Sequence, residues 1–264
     1  MPTLDTILRS HRIDRPLWYG ISNRKLFPEL PVFAYLEALF TTSAQIIQWR
    51  EKDLSRDENA LYVREGVRLA RRTGKLFLVN TDAELALREG ADGVHLTSSQ
   101  DVVSVVELLS GQQGRSLLLG QSVHSAVSAR TSTRLGCDYL LLGPVFDPLS
   151  KKAYREPLGL ETLKQVAQES ALPVFALGGL EESRAPEALA AGAAGVAGIG
   201  WVHREGGELV GTPGAGASDL RVWCPNDFGA SVALFRAWEF LDHPTRGSRP
   251  WLFSYAPPAL GWPS

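Results

Sequence analysis

Four cationic side chains follow two short apolar runs of the sequence. Arg50 and Lys52 follow one run, and Lys151 and Lys152 follow another. If both runs are parallel strands of one sheet, their carboxyl ends lie at the same edge, where four like charges repel one another unless an anion is bound. The pattern therefore predicts a site for phosphate or pyrophosphate, and solvated surface cations are the alternative.

Histidines and a pair of glycines follow further apolar runs. His124 lies two residues after Ser122, where an imidazole can exchange protons near neutral pH, although a hydrogen-bonded structural histidine is the alternative. Gly178 and Gly179 would let backbone N–H groups approach a phosphate, and a role in packing is the alternative for them. His95, at the end of its run, is expected to be structural.

The elements that must position these residues repeat as strand and helix. The strand candidates are eight apolar runs, at 17–21, 44–49, 75–79, 93–96, 116–120, 139–142, 174–177 and 195–199. Amphipathic stretches such as 58–73 and 82–89 lie between them and predict helical crossovers, which join parallel strands. Eight parallel strands buried on both faces favour a closed (β/α)8 TIM barrel over an open doubly wound sheet. In such a barrel the residues that follow the strands meet at one rim.

The composition is that of an ordinary globular protein. The 264 residues include 27 Lys and Arg against 29 Asp and Glu, and 44% are hydrophobic, so no attraction to nucleic acid or to a membrane is expected. No apolar stretch is long enough to span a bilayer and no secretory signal is recognised, which predicts a cytoplasmic location. Cys137 and Cys224 lack the spacing of a disulfide framework or a zinc site, and Cys137 is expected to pack in the interior.

The repeated pattern ends near residue 204. Residues 1–204 are therefore expected to form the barrel, and residues 205–264 an irregular C-terminal extension that contains Gly-rich and Pro-rich segments. Within the extension, 229–241 has one apolar helical stripe and is a candidate for the eighth barrel helix. The role of the extension is open, and a homo-oligomer is one alternative for the assembly.

Five ordered motifs resemble the thiamine phosphate synthase/TenI family. They lie at 46–55 (IIQWREKDLS), 80–96 (NTDAELALREGADGVHL), 120–125 (GQSVHS), 140–152 (LLLGPVFDPLSKK) and 172–180 (LPVFALGGL). The resemblance extends from about residue 17 to residue 200 and implies a (β/α)8 barrel enzyme of thiamin biosynthesis.

The resemblance also implies reactions and residue roles. In the synthase branch, hydroxymethylpyrimidine pyrophosphate loses pyrophosphate with the assistance of Mg²⁺, and the nitrogen of thiazole phosphate captures the resulting cation. In the TenI branch, a histidine moves a proton and shifts a double bond of the thiazole phosphate carboxylate. The residues that match such sites are the catalytic candidates His124 and Lys151 and the substrate-binding candidates Gln48, Arg50, Lys52, Asn80, Ser122, Ser150, Gly178, Gly179, Ile199 and Gly200.

The sequence departs from the synthase pattern at the metal. That pattern has Asn-Asp-Arg after the third strand, with the Asp on Mg²⁺, whereas this chain has Asn80, Thr81 and Asp82. In the synthase pattern a second metal-binding Asp lies five residues after the histidine of the fourth strand, whereas Asp101 lies six residues after His95. Asp82 and Asp101 are therefore the candidate Mg²⁺ ligands. Because a hydroxyl is a poor substitute for a carboxylate on a hard cation, the sequence favours a TenI-like thiazole tautomerase, which needs no cofactor. The alternatives are a thiamine phosphate synthase that uses Mg²⁺ and a non-catalytic protein that binds a phosphate ligand.

Overall fold

Eight parallel strands form a closed barrel in the computed structural model, which describes residues 17–111, 117–147, 156–180 and 182–199. Each strand pairs with the next along the chain, and the last pairs with the first. The strands are β1 (Leu17–Ile21), β2 (Ile46–Trp49), β3 (Leu76–Asn80), β4 (Gly93–Leu96), β5 (Leu118–Val123), β6 (Tyr139–Leu142), β7 (Val174–Leu177) and β8 (Gly195–Gly198). The predicted (β/α)8 barrel is confirmed.

Helices alternate with these strands. Those in the described ranges are α1 (Val32–Thr41), α2 (Arg56–Thr73), α3 (Ala83–Glu89), α4 (Val102–Ser110), α5 (Ala126–Arg134), α6 (Gly159–Glu169) and α7 (Ala185–Ala190). Short 3-10 turns at Arg24–Leu26 and Glu182–Arg184 precede α1 and α7. None of these helices is both long and apolar enough to cross a bilayer.

The C-terminal extension lies outside the described residues. By internal contacts the chain divides into Met1–Ser218 and Asp219–Ser264, and only the first unit contains described residues. The boundary expected at residue 204 and the helix expected at 229–241 therefore stay predictions.

Local sequence explains where the helices begin and end. The hydroxyl of Ser55 accepts the N–H of Glu58, and the carboxylate of Glu58 accepts the N–H of Ser55, so a capping box opens α2. That helix ends at Gly74 with φ 72°, in the left-handed region that glycine adopts without strain. Asp82 caps α3 in a similar way by accepting the N–H of Leu85.

Three predicted strands end at different residues. β3 extends to Asn80, β5 covers Leu118–Val123 rather than 116–120, and β8 ends at Gly198 rather than at residue 199. The extension of β5 occurs because Ser122 continues the parallel ladder opposite Leu141 of β6. Ser122 was expected to follow its strand, and that expectation is wrong because it is part of the strand.

The barrel interior is filled by large side chains. Tyr19, Tyr139 and Phe175 are fully buried there among aliphatic residues, and a second apolar layer separates the sheet from the helices. The missing side chain at Gly120 makes room for Tyr139, since a Cβ at Gly120 would lie 2.0 Å from Cζ of that ring. Cys137 is buried as expected, and burial raises the pKa of its thiol to about 12.

Candidate active site

Strand alternation points a set of polar side chains into the carboxyl end of the barrel. Ile46 and Leu78 belong to the interior cluster, so Gln48 and Asn80, two residues further along the same strands, face inward as well. On β5, Leu118 packs on the interior cluster, so Gly120 and Ser122, two and four residues further along the strand, also face inward. His95 of β4 pairs in register with Asn80. We call these four residues, Gln48, Asn80, His95 and Ser122, the polar layer.

The polar layer is joined by hydrogen bonds between neighbouring strands. The Gln48 Nε2 group donates to Asn80 Oδ1 at 3.3 Å. The His95 Nε2 atom lies 2.9 Å from Ser122 Oγ, and its Nδ1 atom lies 3.1 Å from the hydroxyl of Tyr139. Burial and the charge of Arg50 lower the pKa of His95 to about 3, so this imidazole is neutral. His95 is thus buried and hydrogen-bonded, as expected of a structural histidine.

Arg50 brings a positive charge to the polar layer. Its side chain is half-buried, and among the described residues its guanidinium has no hydrogen-bond or ion-pair partner. Loss of solvent is the main cause that lowers the pKa of Arg50, while the charge of Glu51 acts in the opposite direction. A desolvated guanidinium with five N–H donors, none of them bonded to a described residue, is suited to bind phosphate oxygens.

A buried carboxylate behind Arg50 was missed by the sequence reasoning. Glu51 is 6% exposed, and its Oε1 accepts the N–H of Arg24 at 3.1 Å. It also accepts a hydrogen bond from Ser22, whose Oγ in turn accepts the N–H of Arg50 at 2.7 Å. Burial is the main cause that raises the pKa of Glu51. An acidic residue between two cations was the available signal, but only the fold shows that it supports the backbone of Arg50.

His124 lies at the end of β5 with its two ring nitrogens in different surroundings. Its Nδ1 atom is 2.5 Å from the carbonyl oxygen of Gly143, and its Nε2 atom is 3.2 Å from Oγ of Ser98. A carbonyl oxygen can only accept, so Nδ1 carries the proton and Nε2 has a free lone pair. The Ser98 hydroxyl can donate to that lone pair or turn away from it. The ring is half-buried, so its Nε2 edge is accessible from the carboxyl end of the barrel.

The two glycines after β7 are needed for packing. Gly178 and Gly179 have φ angles of 93° and 63°. A Cβ would lie 2.6 Å from Cβ of Pro144 at the first position and 2.4 Å from the carbonyl oxygen of Asp147 at the second. The segment after β6 thus approaches both positions so closely that a side chain would not fit. This is the packing role that the sequence left as the alternative to phosphate binding. Phosphate binding by their N–H groups stays a prediction.

The candidate metal ligands are occupied by other contacts. Asp82 accepts the N–H of Leu85 and pairs with Arg56 at 3.0 Å, while Asp101 accepts the N–H of Val103 at 3.0 Å and also accepts from a serine hydroxyl. In the described ranges no group of three or more His, Cys, Asp or Glu side chains is arranged to hold a metal ion. Because Mg²⁺ is commonly held by one or two carboxylates together with substrate phosphates, the metal role of Asp82 and Asp101 stays a prediction.

Some of the remaining predicted site residues lie outside the described part of the chain. Lys52 is exposed, and Ile199 is half-buried, packing on the interior cluster just after β8. Ser150, Lys151, its neighbour Lys152, and Gly200 lie outside the described residues. Of the four cations predicted at one rim, the described part of the chain places only Arg50 beside the polar layer.

Comparison with known proteins places the chain among thiamin-biosynthesis proteins. A family described as "Thiamine monophosphate synthase" matches residues 18–202. A Geobacter sulfurreducens protein named "Putative thiamine-phosphate synthase" is 40% identical over 179 residues, which cover 68% of this chain and 83% of that protein. The thiamine-phosphate synthase of Chloroflexus aurantiacus is 35% identical over 167 residues, which cover 62% of this chain and 74% of the relative.

A solved structure has the same fold. The thiamine phosphate pyrophosphorylase from Pyrococcus furiosus superposes with a TM-score of 0.61 at 29% sequence identity. The match covers 71% of this chain and 87% of that one. The names of these proteins favour the synthase, which the sequence left as the alternative, over the tautomerase.

Proposed function

Because this chain belongs to the thiamine monophosphate synthase family, we propose that it joins hydroxymethylpyrimidine pyrophosphate to thiazole phosphate. The observation that carries this proposal is Arg50, a half-buried guanidinium without a partner among the described residues. A charge held in that state is stabilised by an anionic ligand, and both substrates carry phosphate groups. The names of the relatives support the synthase reaction in particular.

The polar layer suits the charge changes of this reaction. The bond between the pyrimidine methylene carbon and the pyrophosphate oxygen breaks, and the electron pair leaves with the oxygen. The lone pair of the thiazole nitrogen then forms the new bond to that carbon. In a site of low dielectric, Arg50 stabilises the departing pyrophosphate more strongly than it could in water. We assign the orientation of the pyrimidine to the amides of Gln48 and Asn80, which the family resemblance gives as substrate-binding residues.

Mg²⁺ is the cofactor that the synthase reaction implies. The candidate ligands Asp82 and Asp101 both cap helices. We therefore assign no step to a protein-bound metal. The metal dependence of the reaction is measured by comparing coupling with Mg²⁺ and with EDTA.

A thiazole tautomerase is the second candidate, and His124 is the observation that favours it. Its Nδ1 is held by the Gly143 carbonyl, so Nε2 is available as a general base at the same end of the barrel. General base catalysis by a positioned imidazole typically contributes about 10²–10⁴-fold. This reaction would need neither Arg50 on pyrophosphate nor a metal ion.

Both activities can be measured on the same purified protein. Coupling of the pyrimidine pyrophosphate with thiazole phosphate is assayed with Mg²⁺ and with EDTA, and tautomerisation under the same two conditions. For a synthase we expect Arg50→Ala to reduce coupling about 100-fold or more, because a charge-assisted contact to the leaving group is lost. Arg68→Ala, which removes an exposed arginine of α2, is the matched control and should leave coupling unchanged.

One combination of results would identify a tautomerase instead of a synthase. If tautomerisation persists in EDTA, falls with His124→Ala, and no coupling is detected, the tautomerase is the correct assignment. The cytoplasmic location, the absence of nucleic-acid partners and the oligomeric state stay predictions from the sequence.

A further inference from the structure

We infer that Tyr19, Tyr139 and His95 form a one-way hydrogen-bond chain that makes the Ser122 hydroxyl a permanent donor toward phosphate oxygens of the substrate. The identity of that acceptor rests on the proposed function, whereas the direction of the chain does not. In this inference Tyr139 and His95 are positioning residues, because they act through Ser122, whereas Tyr19 is the buried end of the hydrogen-bond chain.

The chain crosses the barrel through four strands. The hydroxyl oxygens of Tyr19 on β1 and Tyr139 on β6 are 3.1 Å apart. The Tyr139 hydroxyl is 3.1 Å from Nδ1 of His95 on β4, and Nε2 of His95 is 2.9 Å from Oγ of Ser122 on β5. Tyr19 and Tyr139 are 0% and 1% exposed, and Ser122 is half-buried at the carboxyl end. A continuous polar path thus leads from the barrel interior to the polar layer.

The innermost hydroxyl sets the direction of the path. Among the described residues, the only hydrogen-bond partner of the Tyr19 hydroxyl is the Tyr139 oxygen. A buried hydroxyl proton without an acceptor is unfavourable, so Tyr19 donates to Tyr139. Tyr139 has one proton of its own and must give it to Nδ1 of His95. The reverse direction would leave the proton of Tyr19 with no acceptor.

The tautomer of His95 determines which group donates the hydrogen bond between His95 and Ser122. A neutral histidine that accepts on Nδ1 carries its proton on Nε2, so His95 donates to Ser122 Oγ. Burial and the charge of Arg50, which keep the pKa of His95 low, are consistent with a neutral ring. The Ser122 hydroxyl then accepts from His95, and no described residue accepts its own proton.

The free proton of Ser122 selects the kind of ligand. A hydroxyl in this state presents an O–H donor to a ligand, and phosphate oxygens at neutral pH are chiefly acceptors. With the chain reversed, Ser122 would donate to His95 and could offer a phosphate only its lone pairs, which repel it. Together with the guanidinium of Arg50, the chain therefore prepares the polar layer for an anionic oxygen before substrate arrives.

The tautomer of His95 tests the chain without any substrate. Protein labelled with ¹⁵N-histidine is examined by NMR between pH 5 and 8, and signals are assigned with His95→Gln and His124→Gln. We expect the Nε2–H tautomer for His95 and the Nδ1–H tautomer for His124, whose Nδ1 faces the Gly143 carbonyl. An Nδ1–H tautomer of His95, or a ring that becomes charged near pH 6.5, would overturn the chain.

Two single-hydroxyl deletions give a matched pair in the same buried cluster. In Tyr19→Phe, His95 Nδ1 is still the only acceptor that the described residues offer to the hydroxyl of Tyr139, so the Nε2–H tautomer should persist. In Tyr139→Phe, nothing donates to Nδ1, and both tautomers should be populated. Equal effects of the two substitutions would contradict the assigned direction.

Binding of inorganic pyrophosphate tests the role of Ser122. We expect Ser122→Ala to weaken binding in calorimetry by about tenfold or more, the effect of losing a hydrogen bond to a charged group. Ser110→Ala, which removes an exposed hydroxyl at the end of α4, is the control and should bind like the unmodified protein. Unweakened binding by Ser122→Ala would overturn the donor role. If the unmodified protein binds no pyrophosphate while His95 has the expected tautomer, the proposed acceptor is refuted together with the synthase, and the chain direction is retained.

Discussion

Replacing His95 with glutamine should remove a large part of the acid sensitivity of the fold. The pKa of His95 is lowered from 6.5 to about 3, because the ring is buried and lies near Arg50. Below pH 6.5 His95 is protonated in the unfolded protein but stays neutral in the folded protein, so the free energy of unfolding falls as the pH decreases toward 3. Glutamine does not titrate, and its side-chain amide can still donate to Ser122.

The magnitude follows from the two pKa values. One pKa unit corresponds to about 1.4 kcal/mol, and the full difference applies only near pH 3. Between pH 7 and pH 5 the unfolded histidine becomes almost fully protonated, while the folded ring stays neutral. His95 should therefore remove about 2 kcal/mol of unfolding free energy over this interval.

The measurement is urea unfolding of the unmodified protein and of His95→Gln at pH 7 and pH 5. These pH values lie above the ordinary carboxylate range, so the groups shared by the two proteins largely cancel in the comparison. We expect the variant to lose about 2 kcal/mol less than the unmodified protein on acidification. An equal loss in both proteins would refute the argument, since it would mean that His95 is protonated in the folded state.

Three further substitutions test local features of the fold. Thr81 has φ 67°, a region that β-branched residues avoid, so Thr81→Gly should raise the unfolding free energy by about 1 kcal/mol in urea titration, and a decrease would contradict the strain. Gly120→Ala should destabilise the barrel by about 1–3 kcal/mol and lower the melting temperature, because its Cβ would overlap the ring of Tyr139. Ser55→Ala should cost about 1 kcal/mol through loss of the capping box with Glu58, and restoration by Ser55→Asp in calorimetry would confirm the capping role.

Much of the fold could be predicted from the sequence because the signals are local. The apolar runs at 17–21, 93–96, 139–142 and 174–177 match β1, β4, β6 and β7 in both bounds. Period-two and period-3.6 patterns, together with glycines at helix ends, are properties of neighbouring residues. They determine which segments are strands and helices, and eight such repeats lead directly to a closed barrel.

Part of the candidate site could also be found in this way. Arg50 was chosen for its position after an apolar run, whereas Gln48, Asn80 and Ser122 were named by the family resemblance. Barrel geometry brings such positions together. The same reasoning could not foresee that Asp82 would serve as a helix cap, because capping and metal binding use the same carboxylate oxygens.

Only the tertiary structure decided how the polar groups are paired. Tyr19 and Tyr139 are 120 residues apart in the sequence, and His95 and Tyr139 are 44 apart. Whether each hydroxyl meets a donor, an acceptor or an apolar wall depends on strand register and on gaps such as Gly120, which are set when the barrel closes. The sequence by itself determined which side chains face inward at the carboxyl end, because alternation along a strand is local. The direction in which their protons point was decided by closure, because a hydrogen bond needs both partners at a defined distance in space.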